Sequence, residues 1–213
     1  MYQSHYLCLV IIDDIPDLSN MSKVDVDYVE EVKGLGVRLK ARELLRPGDI
    51  AAEYAGIPRW VTSEEREVSS KDNVYIYDVG PFHVNGMVYY ISWDGRPHSR
   101  DWDSEKVGHL VNTCHPQLPG KYMHSNCCFG IYFGPDFTAS TQCVPDVRLF
   151  IVATTHMHST SKKRVELLVD YHWQLVNGFG YICGDFECIH CYIELRFFLS
   201  RWTNRLREKN IKL

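Results

Sequence analysis

The sequence lacks both a long apolar run and an excess of positive charge. No stretch approaches the about 18–20 consecutive apolar residues that span a bilayer, and the apolar residues 6–12 form only a short run. This run has no basic start and precedes Asp13 and Asp14, so we expect a strand rather than a signal peptide, and no membrane association. Lysine and arginine total 23 against 27 acidic residues, a net charge of -4. Since duplex-binding domains usually carry a basic excess, we expect no direct binding to duplex DNA.

Motifs of several large enzyme classes are also missing. The sequence contains no phosphate-binding P-loop, no GxSxG nucleophile elbow and no HExxH zinc motif. It has no internal repeat and no low-complexity run. Its 45% hydrophobic and 23% charged residues are typical of a globular domain, which excludes disorder, collagen and coiled coil as the main state.

Short segments of alternating or β-branched residues predict a mostly β fold. They cover residues 24–32, 37–39, 50–54, 74–79, 87–93, 129–133 and 148–153, and an aliphatic and aromatic stretch at 167–173 leads into the cysteine cluster. Gly34 and Gly36 are expected to interrupt the first strand. The polar residues 61–73 predict a short helix or a solvated loop.

A single long amphipathic helix is predicted near the end of the sequence, over residues 193–209. Apolar side chains recur there at helical spacing, with basic residues between them. The apolar positions are Leu195, Phe198, Leu199, Trp202 and Leu206. We expect this stripe to pack on the domain.

Six of the eight cysteines fall into groups that suit metal binding. Without a secretion signal the thiols are expected to be reduced, and Cys183, Cys188 and Cys191 combine a CxxC motif with a nearby third thiol. Zinc takes four sulfur or nitrogen ligands, so one more is needed. The fourth ligand would be His190 or a distant cysteine, with Cys114 and Cys127 the leading candidates. The alternative is a set of reduced thiols buried in the core.

Several short motifs follow one another in a distinctive order. A GxG at residues 34–36 precedes EYAG at 53–56 and a YxxxxD stretch at 89–94. Asn112 comes next, in GHLVN, followed by ELLVDY at 166–171 and then the cysteine cluster. This order resembles that of the SET-domain protein lysine methyltransferases, over about residues 30–191.

The resemblance implies a fold and a division of the chain. The expected fold is a mostly β SET domain of several small sheets with a pseudoknot, a zinc-tied post-SET segment and a C-terminal amphipathic helix. The implied parts are an N-terminal segment at 1–23, the SET domain at 24–174, the post-SET zinc segment at 175–192 and the helix within 193–213.

The resemblance also implies an activity. Enzymes of this family transfer a methyl group from S-adenosylmethionine to a protein lysine, commonly in a histone tail, and act in the nucleus. The implied catalytic residues are Tyr171 and Tyr54. The implied cofactor-binding residues are Gly34, Leu35, Gly36, Tyr89, His109 and Asn112, and the implied zinc ligands are Cys114, Cys183, Cys188 and Cys191.

The sequence departs from the family pattern at the asparagine motif, which leaves two other functions open. His109 stands where the family has arginine, and Thr113 where it has histidine. A loop at 117–125 precedes Asn126, so we interpret Asn112 and Asn126 as the two ends of one interrupted motif. The first alternative is a catalytically weak SET-like module that binds peptides within an assembly. The second is a zinc-stabilised adaptor that binds metal but no S-adenosylmethionine.

Overall fold

The protein is described by a computed structural model. The structure describes residues 9–30, 34–70, 75–96, 105–113, 125–138, 140–169, 175–176 and 179–180. The helix predicted over 193–209 lies outside these ranges, as do Tyr171 and the cysteines of the predicted zinc segment. Within the described residues no helix has the length and apolar character needed to cross a membrane.

The described residues are mostly in strands, as the sequence predicts. The strands from the first half of the chain are β1 (Leu9–Ile12), β2 (Val24–Val29), β3 (Gly34–Leu39), β4 (Leu44–Leu45), β5 (Ile50–Glu53), β6 (Arg59–Thr62), β7 (Ile76–Val84) and β8 (Met87–Asp94). The later strands are β9 (Asn112–Thr113), β10 (Cys127–Phe133), β11 (Val147–Ala153), β12 (Met157–His158), β13 (Leu168–Val169), β14 (Leu175–Val176) and β15 (Phe179–Gly180). One α-helix, α1 (Ser63–Ser70), occupies the polar stretch for which the sequence left helix or loop open.

The largest sheet has four strands in the order β1-β10-β11-β5. β1 runs parallel to β10, while β11 is antiparallel to both β10 and β5. Six of the seven residues of β10 are buried, because both faces of this central strand are covered. A continuous apolar run such as CCFGIYF is typical of a strand in that position.

A three-stranded sheet, in the order β6-β8-β7, packs beside the first. β7 and β8 form a hairpin around Asn85 and Gly86, whose φ angles are 52° and 80°. Positive φ at both central residues is the geometry of the type I′ turn, which Asn-Gly favours. The rings of Phe82 and Trp93 from this hairpin are fully buried and join the main core together with Phe129 of β10.

The hairpin formed by β2 and β3 corrects one prediction. Gly34 and Gly36 do not interrupt a strand, since β3 begins at Gly34, which pairs with Val29. Glycine weakens a strand but is used where another chain segment approaches closely. The close approach at Gly36 is part of the candidate site.

Candidate functional site

Residues 164–169 form the centre of the candidate site, because separate parts of the chain bind them from different sides. β3 exchanges backbone hydrogen bonds of 2.8 and 2.9 Å with Val165 and Leu167. On another side, Leu168 pairs in parallel with Asn112, which places β13 beside β9. Segments that lie far apart in the sequence therefore meet along one short stretch of backbone.

Asn126 binds the same stretch through its side-chain amide. Its Oδ1 accepts a hydrogen bond from the backbone N–H of Leu168 at 2.8 Å, and its Nδ2 donates to the carbonyl of Glu166 at 2.8 Å. Asn112 and Asn126 thus contact one segment.

Arg164 attaches the start of the segment to the β2–β3 hairpin. Its guanidinium donates to Asp27 at 2.8 Å and to Asp25 at 3.0 Å, and its Nε donates to the carbonyl of Leu39 at 3.3 Å. A guanidinium offers a rigid set of donors that can bind several acceptors at once. This arrangement holds the segment against the strand that carries Gly36.

Gly36, Asn112 and Glu166 meet at the heart of the site. The Nδ2 of Asn112 donates to Oε1 of Glu166 at 2.9 Å, and the Glu166 side chain is buried. A Cβ placed on Gly36 would lie 2.6 Å from Asn112 Nδ2 and 3.2 Å from Glu166 Oε1. Only glycine leaves room for this contact, because any side chain at position 36 would collide with Asn112 and Val29.

The other two predicted residues of the GxG motif lie beside this contact. Gly34 begins β3, and the side chain of Leu35 points to the opposite face of the strand from Gly36, as alternation requires. Leu35 is 53% exposed and pairs across the hairpin with Tyr28, which is 56% exposed. Gly36 therefore contacts Asn112, while Leu35 lies exposed on the other face of the strand.

Tyr54 lies in an aromatic cluster. It is fully buried, and its hydroxyl donates to the backbone carbonyl of Tyr75 at 3.0 Å. Its ring contacts the rings of Tyr77, His109 and Phe129. The hydroxyl thus has a structural partner, and the ring forms part of an apolar wall.

His109 is buried in the same cluster, edge-on to Tyr54 and Tyr75. Burial disfavours the charged imidazolium and lowers the pKa of His109 to about 4, although a backbone hydrogen bond at Lys106 acts in the opposite direction. His109 is therefore neutral at pH 7. It supplies an aromatic contact rather than the positive charge that an arginine would bring.

Glu53 holds the segment that contains His109 and Asn112. Its buried carboxylate accepts from Arg148 at 2.5 and 3.1 Å and forms an ion pair with Lys106 at 3.1 Å. Two basic groups compensate the cost of burying this charge, and the hydrogen bonds between Arg148 and Glu53 raise the pKa of Arg148. Lys106 thereby fixes the start of the 105–113 segment against β5.

Tyr89 lies elsewhere in the described structure. It is near the turn of the β7–β8 hairpin, where its ring packs on Trp60 and its hydroxyl is 3.7 Å from the sulfur of Met87. Among the described residues, no hydrogen bond or ring contact joins Tyr89 to Gly36 or Asn112. The structure thus does not group Tyr89 with the other predicted cofactor-binding residues.

The predicted zinc site can be examined only at Cys127. This cysteine is buried in β10, and burial raises the pKa of its thiol. The other predicted ligands lie outside the described residues, within which no group of three potential metal ligands occurs.

Two carboxylates of the site were not predicted as functional residues. Glu53 and Glu166 were noted only as members of the EYAG and ELLVDY motifs, and neither was given a role. Each is a carboxylate in or beside an otherwise apolar strand, and a buried carboxylate needs a partner. A glutamate next to apolar strand residues could therefore have indicated that both carboxylates are buried and paired. The sequence does not identify Arg148 or Asn112 as their partners.

Comparison with known proteins finds no matching family model and no matching curated protein.

Proposed function

We propose that the protein is a SET-like methyltransferase that transfers a methyl group from S-adenosylmethionine to a protein lysine. The observation that supports this most is the contact among Gly36, Asn112 and Glu166. These residues belong to three motifs that carry the resemblance to the SET family, and they span 130 positions of the sequence. Their meeting is expected if the motifs build one site.

The described residues fit one end of such a cofactor. Gly36 lies buried against Asn112, whose side-chain amide would bind that end. S-adenosylmethionine supplies an electrophilic methyl group on a sulfonium. The chain has to align a lysine amine with that methyl and exclude water, and proximity provides much of the rate in such a reaction.

The lysine must also lose its proton. A free lysine with a pKa of about 10.4 costs about 4.6 kcal/mol to deprotonate at pH 7. An apolar channel lowers this cost because desolvation destabilises the ammonium form. The aromatic cluster of Tyr54, Tyr77 and Phe129 is a suitable wall. A histone tail is the substrate class that we propose, with action in the nucleus.

Tyr171 is the proposed catalytic residue. It ends the ELLVDY motif, two positions after the last residue of β13, so the hydrogen bonds of Asn126 and Asn112 hold the strand that leads to it. In this proposal its hydroxyl orients the amine at the transferring methyl. Asn126 therefore acts as a positioning residue for Tyr171.

The test compares Tyr171→Phe with Tyr181→Phe, a tyrosine outside every motif. Purified protein is incubated with methyl-labelled S-adenosylmethionine, histones and a cell extract, and cofactor binding is measured by calorimetry on the same samples. We expect Tyr171→Phe to bind the cofactor and to lose about 10²–10³-fold in transfer rate, as when one positioned electrostatic group is removed. Tyr181→Phe should retain activity.

Two outcomes contradict the proposal. Wild-type protein that binds the cofactor but methylates nothing indicates the peptide-binding module instead. Wild-type protein that contains zinc but does not bind the cofactor at millimolar concentration indicates the adaptor. Equal rates for Tyr171→Phe and wild type would remove Tyr171 from the active site.

We also propose one structural zinc ion per chain, bound by Cys114, Cys183, Cys188 and Cys191. Zinc binding contributes folding free energy, so Cys188→Ser should lower both the zinc content and the melting temperature. Cys143→Ser is the control, because Cys143 is exposed and lies outside the cluster. Reduced, freshly prepared protein without zinc would contradict this assignment.

A further inference from the structure

We propose that a basic surface patch, formed by Arg42, Arg46, Lys162 and Lys163, binds the phosphate backbone of duplex DNA without reading its sequence. This inference goes beyond the proposed function and does not depend on it. The net charge of -4 predicts no duplex binding. Net charge does not show where the cations lie, however, and the structure places these four on one face.

Two segments that are distant in the sequence meet at the patch. β4 pairs antiparallel with β12, and Leu45 lies opposite Met157. Both of these side chains are buried, so alternation along β4 directs the next residue, Arg46, away from the core. Before β4, the backbone N–H of Arg42 donates to the carbonyl of Ser159 at 2.9 Å. The two arginines therefore flank β4, and at the rise of a strand they are about 10 Å apart.

Lys162 and Lys163 lie in the turn that follows β12. The N–H of Thr160 donates to the carbonyl of Lys163 at 2.9 Å, and the N–H of Lys163 donates to the Thr160 hydroxyl at 3.0 Å. Because Arg42 is bonded to the residue directly before Thr160, this turn is held beside one end of β4. Residues 147–165 contain no acidic side chain, so the turn brings no negative charge of its own.

The four cations of the patch are exposed and have no carboxylate partner within the described ranges. Two acidic residues lie alongside, Glu43 and Asp49, and the Asp49 carboxylate accepts from the backbone N–H of Arg46 at 2.8 Å. Four cations against two acidic neighbours leave this face net positive on a chain whose total charge is negative. Basic side chains elsewhere form ion pairs, among them Arg38, Lys40, Arg66, Arg96, Lys106, Arg148 and Arg164.

The composition of the patch favours a duplex over a single strand or a protein. Arginine, lysine and hydroxyl side chains are the usual contacts of DNA phosphates, and Thr160 and Ser161 are exposed in the same turn. Residues 40–48 and 154–164 contain no phenylalanine, tyrosine or tryptophan. Single-stranded bases stack on such rings, and protein interfaces commonly use them as anchors. A length of about 10 Å along a duplex carries about six phosphates, enough for all four cations.

The experiment measures binding of labelled DNA duplexes of about 20 base pairs by fluorescence anisotropy, without S-adenosylmethionine, between about 50 and 200 mM salt. We expect a Kd of about 10⁻⁶–10⁻⁴ M near physiological salt and equal affinity for two duplexes of different sequence. The logarithm of the binding constant should fall with the logarithm of salt concentration with a slope of about -3.6, since each neutralised phosphate contributes about -0.9.

Two paired variants remove the cations of the patch. Lys162→Gln with Lys163→Gln, and Arg42→Gln with Arg46→Gln, should each make the slope less steep by about 1.8 and weaken binding by at least about 10-fold. Thermal melts establish that each variant is folded. If the arginine pair does not fold, the lysine pair decides the question, because its side chains lie in an exposed turn.

The matched control is Arg59→Gln with Arg96→Gln. This pair changes the net charge by the same amount, but Arg59 lies in β6 and Arg96 follows β8, in the three-stranded sheet. The Arg96–Asp94 ion pair is exposed, so its loss should cost little stability. We expect the control to keep the slope of the wild-type protein.

Several outcomes would overturn the inference. One is wild-type protein that does not bind duplex DNA at about 50 mM salt, and another is a slope that the patch variants leave unchanged. Equal losses in the control would show that binding follows net charge rather than the patch. Tighter binding to single-stranded DNA, duplex RNA or polyglutamate would assign the patch to a different partner. Each of these results leaves the methyl-transfer test unaffected, so failure here is distinguishable from failure of the proposed function.

Discussion

Gly108 packs directly against the backbone of Glu53. A Cβ on Gly108 would lie 2.8 Å from the Glu53 carbonyl oxygen and 2.9 Å from the Tyr54 nitrogen, so no other residue fits without a shift of the backbone. Together with the Glu53–Lys106 ion pair, this contact joins β5 to the segment that carries Asn112. The aromatic cluster around Tyr54 and the Gly36–Asn112–Glu166 contact are thereby parts of one packed unit.

Replacing Gly36 with alanine should disrupt the site and the fold together. The new Cβ would lie 2.6 Å from Asn112 Nδ2 and 2.7 Å from a Val29 methyl group, and overpacking of this kind costs about 1–3 kcal/mol. We expect a lower unfolding free energy in urea and a smaller thermal shift with S-adenosylmethionine. Val144→Ala is the control, because this side chain is exposed, lies outside every motif and should contribute within about 0.5 kcal/mol. Equal stability of Gly36→Ala and wild type would refute the close packing.

The hydroxyl of Tyr54 is predicted to matter more for stability than for transfer. Tyr54→Phe removes the hydrogen bond to the Tyr75 carbonyl, which costs about 0.5–1.5 kcal/mol. That carbonyl also accepts from the Gly95 nitrogen at 3.0 Å, so it keeps a partner. We expect a small loss of stability and a transfer rate within about 10-fold of wild type, with rate and unfolding measured on the same preparation. A folded Tyr54→Phe protein with about 10²–10³-fold lower rate would instead give the hydroxyl a direct catalytic role.

Acidification should destabilise the protein partly through His109. The unfolded chain takes up a proton at this residue near pH 6.5, whereas the folded chain does so only near pH 4. The unfolded state therefore binds more protons between these values, and the unfolding free energy falls as the pH falls through this range. His109→Phe keeps an aromatic ring but cannot take up a proton. It should therefore reduce the pH dependence of the unfolding free energy, measured by urea unfolding from pH 7 to 4. A His109→Phe profile as steep as wild type would contradict the assignment.

The thiols of β10 should resist alkylation in the native protein. Burial raises the pKa of Cys127, and it raises the pKa of Cys128 to about 12, so at pH 9 only about one Cys128 in a thousand is the reactive thiolate. Cys143 is exposed. Mass spectrometry after brief iodoacetamide treatment should find label on Cys143 well before Cys127 or Cys128, and on all three after unfolding. Rapid native labelling of Cys127 would show that β10 is not buried.

Much of the fold could be predicted because local pattern determines it. The strands predicted at residues 50–54, 87–93, 129–133 and 148–153 each overlap an observed strand, since apolar and β-branched residues there fill the core. The β7–β8 hairpin also had a usable signal in Asn85 and Gly86, which was not interpreted. The start of β3 was predicted wrongly, because glycine was taken to interrupt the strand where it accommodates a neighbouring segment.

The candidate site could be predicted only in part. Gly36 and Asn112 were selected from the resemblance, and they are neighbours in the structure. Their connection through Glu166 depends on contacts between residues 54 or more positions apart, which no local periodicity encodes. The same reason explains why Arg148, 95 positions from Glu53, was not recognised as its partner.

The attachment of Arg164 to Asp25 and Asp27 has a consequence for how the chain folds. These hydrogen bonds join residues 139 and 137 positions apart, so a long loop of chain must close before they form. Folds dominated by such distant pairings lose much chain entropy before the contacts compensate it, and they typically fold in milliseconds to seconds. We therefore expect slow refolding after dilution from denaturant, with ligand-binding competence appearing only in the last kinetic phase.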